Sequence, residues 1–196
     1  MNDLKALLVE KTATIGEKLS VRRFAKVTGD CVASYLHAGG KIGVLVAGTG
    51  ASDVKEALTN VAMQIAAMNP QYISRAEISA DELAKIREIT VDSALNDPAS
   101  LPKPIQNELY TKVETEKLFS EEDLAILAEK KNDKYLYNFL SKEAIAKLAE
   151  LALAGKAAYV ENKIFAGLVE GRISKQLKEI CLLDQTYVKA EDGKQT

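Results

Sequence analysis

In the first quarter of the chain hydrophobic positions tend to alternate with polar ones, and further along they recur every three or four residues. The β-prone stretches are 19–27, 31–37 and 42–47, which read as strands. Thr28-Gly29-Asp30 and Ala38-Gly39-Gly40-Lys41 separate them. Connections this short join only antiparallel neighbours, so the pattern predicts a three-stranded meander. The first strand has no uniform face, because Val21, Arg23 and Ala25 alternate with Arg22, Phe24 and Lys26. Either one face takes an arginine or the strand is an exposed edge.

The helical spacings follow. Leu4, Leu7 and Leu8 predict a short amphipathic helix over 2–10, with 11–16 leading into the sheet. Val54, Ala57, Leu58, Val61, Ile65 and Met68 predict a helix over 53–68, capped by Ser52 and Asp53, that packs on the sheet. Ser79-Ala80-Asp81-Glu82 is a capping box and opens a helix to about Leu95. Its thin apolar stripe and high charge suit a helix that leaves the globule. Residues 97–104 hold three of the four prolines and read as a loop. Further helices are expected over 120–130 and 141–154, the second ended by Gly155.

The last long helix, 160–181, carries Val160, Ile164, Leu168, Val169, Ile173, Leu177 and Ile180 at spacings of mostly three and four. Gly167 and Gly171 lie inside it. Each costs roughly 1 kcal/mol in a helix interior, which points to close packing. Helices 80–95 and 160–181 can pair as an antiparallel hairpin. The expected fold is therefore α+β: a three-stranded antiparallel meander covered by helices, with a protruding helical hairpin. The expected domains are an α+β core at 1–78, a helical arm at 79–181 with an inserted helical segment at about 98–158, and an extended strip with a polar tail at 182–196.

A chain of 196 residues with 47% hydrophobic and 28% charged residues is globular. Its net charge of −2 argues against nucleic-acid binding by bulk electrostatics. The two cysteines, Cys31 and Cys181, sit in no metal-type cluster and read as reduced core thiols of a cytosolic protein. No apolar run approaches the ~20 residues of a membrane span, so a cytoplasmic location is expected.

Candidate chemistry is thin. Gly48-Thr49-Gly50 lies between a strand and a helix, where a phosphate meets free N–H groups, but it lacks the third glycine of a dinucleotide fingerprint and the Gly-Lys-Ser/Thr of a P-loop. His37 is the single histidine and has no second ligand beside it, so no metal site is expected. It also lacks a nucleophile in its local sequence, and reads as a contact residue or a plain solvent-facing turn residue. Five Lys/Arg against two acids between Gly16 and Gly50 form a local basic excess. That excess fits an acidic protein partner or a merely solvated sheet edge. No catalytic constellation and no cofactor site are expected.

Two long blocks carry a resemblance. TIGEKLSVRRF (14–24), SYLHAGGKIGVLV (34–46) and AAMNPQYIS (66–74) form the first; KIFAGLVEGRISKQLKEICLLDQTYVK (163–189) forms the second. In this order, covering about 14–95 and 160–189, they resemble bacterial elongation factor Ts. The resemblance implies a translation factor that promotes GDP/GTP exchange on elongation factor Tu by protein contact, with no active site of its own. It implies that this chain is similar to the C-terminal core subdomain with its coiled-coil arm. It places Leu36, His37, Ala38, Gly39 and Gly40 at the partner surface, and implicates Tyr187, Val188 and Lys189 in binding. It also allows a homodimer through the arm. The family's N-terminal helical module and its Thr-Asp-Phe-Val motif are not found in these residues, so a fragment of an exchange factor is expected. Two rival readings stand beside it. One is a dimerisation or structural module built on the helical hairpin. The other is a small phosphate-binding α/β enzyme built on the Gly48–Gly50 turn.

Overall fold

The structure is a computed structural model that describes residues 2–50, 53–191 and 193–196, with the side chain of Asn2 left out. It divides into two units, residues 1–67 and 68–196.

The first unit holds helix α1 (Asn2–Ile15), strands β1 (Cys31–His37) and β2 (Ile42–Gly48), and most of helix α2 (Lys55–Met68). Helix α1 runs five residues past its predicted end and stops where Gly16 turns to φ 79°. β1 and β2 pair antiparallel, from Cys31 opposite Gly48 to His37 opposite Ile42. Ala33 is buried, and Tyr35, Val44, Val46 and Gly48 on the same face are half-buried. Val32, Leu36, Leu45 and Ala47 on the other face are exposed. Helix α2 sets Leu58 against Gly48: a Cβ there would meet the leucine methyls at 3.2 and 3.3 Å. Ser52, one of the two predicted caps, lies outside the described residues. The first bond of α2 is Leu58 N–H to the Val54 carbonyl, 2.9 Å.

Among the described residues the sheet has two strands, and the predicted first strand does not form. Residues 18–28 are neither helix nor strand, and Val21 and Phe24 are 49% and 85% exposed. The mixed faces explain this. A strand is held chiefly by burying one face, and here basic residues interrupt both. β-propensity without a face to bury does not specify a strand.

The second unit is helical: α3 (Ala80–Leu95), α4 (Lys103–Glu116), α5 (Glu121–Lys130), α6 (Lys142–Ala154), α7 (Lys156–Glu161) and α8 (Lys163–Ile180). Tyr72 bridges to Cys181, Arg87 pairs with Glu170, and Lys156 with Asp92. Partner numbers fall as positions rise, so α3 and α8 run antiparallel, as predicted. The core gathers Leu95, Ile105, Leu109, Tyr110, Leu127, Leu136, Leu148 and Phe165, with the last two turns of α3 buried in it. Burying side chains of this size stabilises by roughly 1.5–3 kcal/mol each before entropy.

Three sequence expectations need correction here. Helix α4 occupies residues read as loop or left unassigned. Pro102 and Pro104 sit at its start, where a proline costs nothing, and Ile105, Leu109 and Val113 follow at a spacing of four. The single helix over 160–181 is two helices, broken at Asn162, whose side-chain oxygen accepts from the N–H groups of Ile164 (2.8 Å) and Phe165 (3.3 Å). Gly167 and Gly171 face open space among the described residues: beyond its own stretch of helix, a Cβ at either would meet no atom within 4 Å.

Candidate functional site

The hairpin tip joins β1 to β2. β1 ends in Tyr35, Leu36 and His37, and the chain then turns through three left-handed residues, Ala38 (φ 50°), Gly39 (φ 68°) and Gly40 (φ 88°). Glycine adopts that conformation freely; alanine does so at a cost of roughly 1–2 kcal/mol. Lys41 returns to φ −69°, and Ile42 begins β2. Leu36 lies across Gly43, where a Cβ would meet its Cδ2 at 3.3 Å, yet Leu36 remains 71% exposed. His37, Ala38, Gly39, Gly40 and Lys41 are all exposed. The Tyr35 hydroxyl and the Nδ1 of His37 lie 3.1 Å apart, with the rings 5.9 Å centre to centre. The turn is thus specified by its backbone and carries an apolar side chain and an imidazole into solvent.

At the far end of the hairpin, the N–H of Gly50 donates to the Asp30 carboxylate at 2.8 Å. Gly29 passes so close that a Cβ on it would sit 2.7 Å from the Gly48 carbonyl oxygen. The Gly50 N–H is thus already taken, and by a negative charge. This counts against the phosphate-binding reading of Gly48–Gly50.

The second predicted strip lies in the other unit. Residues 71–73 and 180–183 exchange backbone bonds, among them Leu182 N–H to the Tyr72 carbonyl and Leu183 N–H to the Ile73 carbonyl at 2.9 and 3.0 Å. The Nε of Arg75 donates to Asp184 at 2.7 Å. Gln185 is buried, and its amide donates to the Glu179 carbonyl at 2.6 Å. The chain leaves this anchor at Tyr187, which is half-buried, and Val188 and Lys189, which are exposed. The Tyr187 N–H closes a loop onto the Gln195 carbonyl at 2.7 Å.

Among groups the sequence reading missed, Asp123 stands out. Its buried carboxylate accepts from Ser141 N–H (2.9 Å), Ser141 Oγ (2.7 Å) and Ser120 Oγ (2.8 Å). Burial pulls its pKa up, but these bonds outweigh burial and hold it below the usual carboxylate value. Ser120 and Ser141 are themselves the N-caps of α5 and α6. The spacing Ser120-x-x-Asp123 is a readable cap, but nothing in it announces the Ser141 partner. The hydroxyl of Tyr110 donates to that of Tyr137 at 2.9 Å, and burial pushes both pKa values up. The Cys181 thiol is buried and its pKa is likewise pushed up, by burial first and then by Asp184. These groups brace the second unit. Among the described residues no helix is long and apolar enough to cross a membrane.

Comparison with known proteins adds the following. The sequence profile of the family described as Elongation factor TS matches residues 1–196. The chain is 36% identical over 193 residues to elongation factor Ts of Clostridioides difficile (strain 630). That match covers 96% of this chain and 44% of the relative, so the chain spans less than half the relative's length.

Proposed function

Since this chain belongs to the elongation factor Ts family, we propose that it supplies protein–protein contact to guanine-nucleotide exchange on elongation factor Tu. The observation that carries the reading is the 36–40 turn, in which Leu36 is exposed at a tip whose backbone turns through three left-handed residues. An interface is built from a few anchors that are tolerable in water and gain when buried, on a frame that loses little entropy. Leu36, His37, Ala38, Gly39 and Gly40 are proposed as one contact, and Tyr187, Val188 and Lys189 as another. No cofactor of its own takes part, and the chain acts by contact without an active site, in the cytoplasm.

Exchange by contact is linkage. A factor that binds the nucleotide-free partner better than the loaded one lowers nucleotide affinity by the same ratio. A grip of equal affinity for both states shifts nothing, however tight it is. The wedge motif Thr-Asp-Phe-Val, which in the family acts next to the nucleotide, is not in this sequence. This chain is therefore expected to bind elongation factor Tu while accelerating nucleotide release little. The test is release of a fluorescent GDP analogue from elongation factor Tu at saturating chain. Slow release with measurable binding supports the reading; acceleration equal to that of a full-length factor overturns it.

A further inference from the structure

The tip holds one interaction that its turn geometry does not require. Tyr35 and His37 are two positions apart on β1, so their side chains leave the same face of the strand. Val44 and Ile42 sit opposite them on β2. The phenol oxygen reaches the Nδ1 of the imidazole at 3.1 Å, and the rings are inclined at 39°. A neutral imidazole has one nitrogen that donates and one that accepts, and the partner of one nitrogen decides the state of the other. A phenol is the better donor of the two groups, because its oxygen lone pair is delocalised into the ring. With Tyr35 donating, Nδ1 accepts and the proton resides on Nε2.

We propose that Tyr35 is a positioning residue for His37: its hydroxyl fixes the ring and its tautomer, so that the tip presents an Nε2–H donor on the strand face opposite to Leu36. This rests on the 36–40 turn being the contact proposed above. It specifies the chemistry of the surface that receives the tip. That surface must offer an apolar patch for Leu36 and, on the opposite side of the tip, a hydrogen-bond acceptor, a backbone carbonyl or a carboxylate. A lysine or arginine in that place would meet a donor with a donor and be excluded. Pre-setting the ring also lowers the ordering cost on association.

The experiment has two arms that separate this inference from the reading it rests on. Two-bond ¹H–¹⁵N NMR correlation of the free chain at pH 8.5 reads the tautomer of the neutral His37 ring without any partner. The wild type is expected to show Nε2–H with Nδ1 as acceptor, and Tyr35→Phe a detectable admixture of the other tautomer with an unchanged fold. A wild-type ring carrying its proton on Nδ1 overturns the inference outright. Titration with elongation factor Tu is the second arm. Tyr35→Phe is expected to weaken binding about five-fold, the worth of one net hydrogen bond. His37→Gln, whose amide N–H reaches the Nε2 position, is expected to retain more affinity than His37→Asn, whose amide reaches only the Nδ1 position. If His37→Ala weakens binding and Tyr35→Phe does not, the positioning role is wrong while the contact stands. If neither changes binding, the contact itself fails.

Discussion

Replacing Asp123 with alanine removes three hydrogen bonds at once from the junction of α5 and α6. The carboxylate accepts at 2.7 to 2.9 Å from the hydroxyls of Ser120 and Ser141 and from the Ser141 N–H. Bonds to a charged group contribute about 1.5–3 kcal/mol each, and members of one network do not add. The loss also frees the Ser141 hydroxyl, which caps α6 by accepting from the Ala144 N–H at 3.1 Å. A net loss of about 3–4 kcal/mol is expected for Asp123→Ala, and about 2 kcal/mol for Asp123→Asn, whose amide keeps one acceptor. Urea unfolding followed by circular dichroism measures it. A cycle with Ser141→Ala should show coupling above about 1 kcal/mol. The pH dependence has a fixed sign. The folded carboxyl titrates below its unfolded value, so its contribution is complete above about pH 4 and is lost as pH falls through the folded pKa. The gap between wild type and Asp123→Asn should therefore be constant above about pH 4 and narrow only below it. A loss under about 1 kcal/mol for Asp123→Ala, or a gap that widens in acid, refutes the reasoning.

Three further outcomes are expected. Ala38→Gly relieves a left-handed alanine at the cost of unfolded-chain entropy, and should stabilise the chain by about 0.5–1 kcal/mol in thermal melts. Gly167→Ala and Gly171→Ala meet open space and should each stabilise by up to about 1 kcal/mol, where a packed interface would make them destabilising. Gly29→Ala drives a methyl to 2.7 Å from the Gly48 carbonyl oxygen and should lower the melting temperature of the first unit.

Much of the fold was legible because local rules agreed with the tertiary structure. The 38–41 turn, the hairpin β1–β2, the Ser79 cap of α3 and the Ser120 and Ser141 caps all follow from residue types at fixed offsets. Where a rule had to be weighed against another, the reading failed. Residues 18–28 have strand-forming types but no face, and face decided. Three prolines masked the start of α4, although proline in the first turn is a helix signal as much as a loop signal. The Asn162 break was hidden by an apolar stripe that runs on across it. Of the candidate site, the exposure of His37 was readable from a glycine-rich turn, Leu36 was placed at the surface by the family resemblance alone, and Tyr187 is more buried than its neighbours. The Tyr35–His37 contact needs the strand's side-chain direction, and the Asp123–Ser141 contact spans 18 residues, so neither is visible in a local window.

The central claim is that the 36–40 turn is a protein contact and not part of the core. Titration of this chain and its His37→Ala variant into elongation factor Tu, by calorimetry with parallel thermal melts, tests it most directly. Binding by the wild type is expected, with about ten-fold weaker binding by the variant, consistent with a loss of ~1–2 kcal/mol, and nearly equal melting temperatures. Equal affinities, or a variant that melts well below the wild type while binding unchanged, would contradict it.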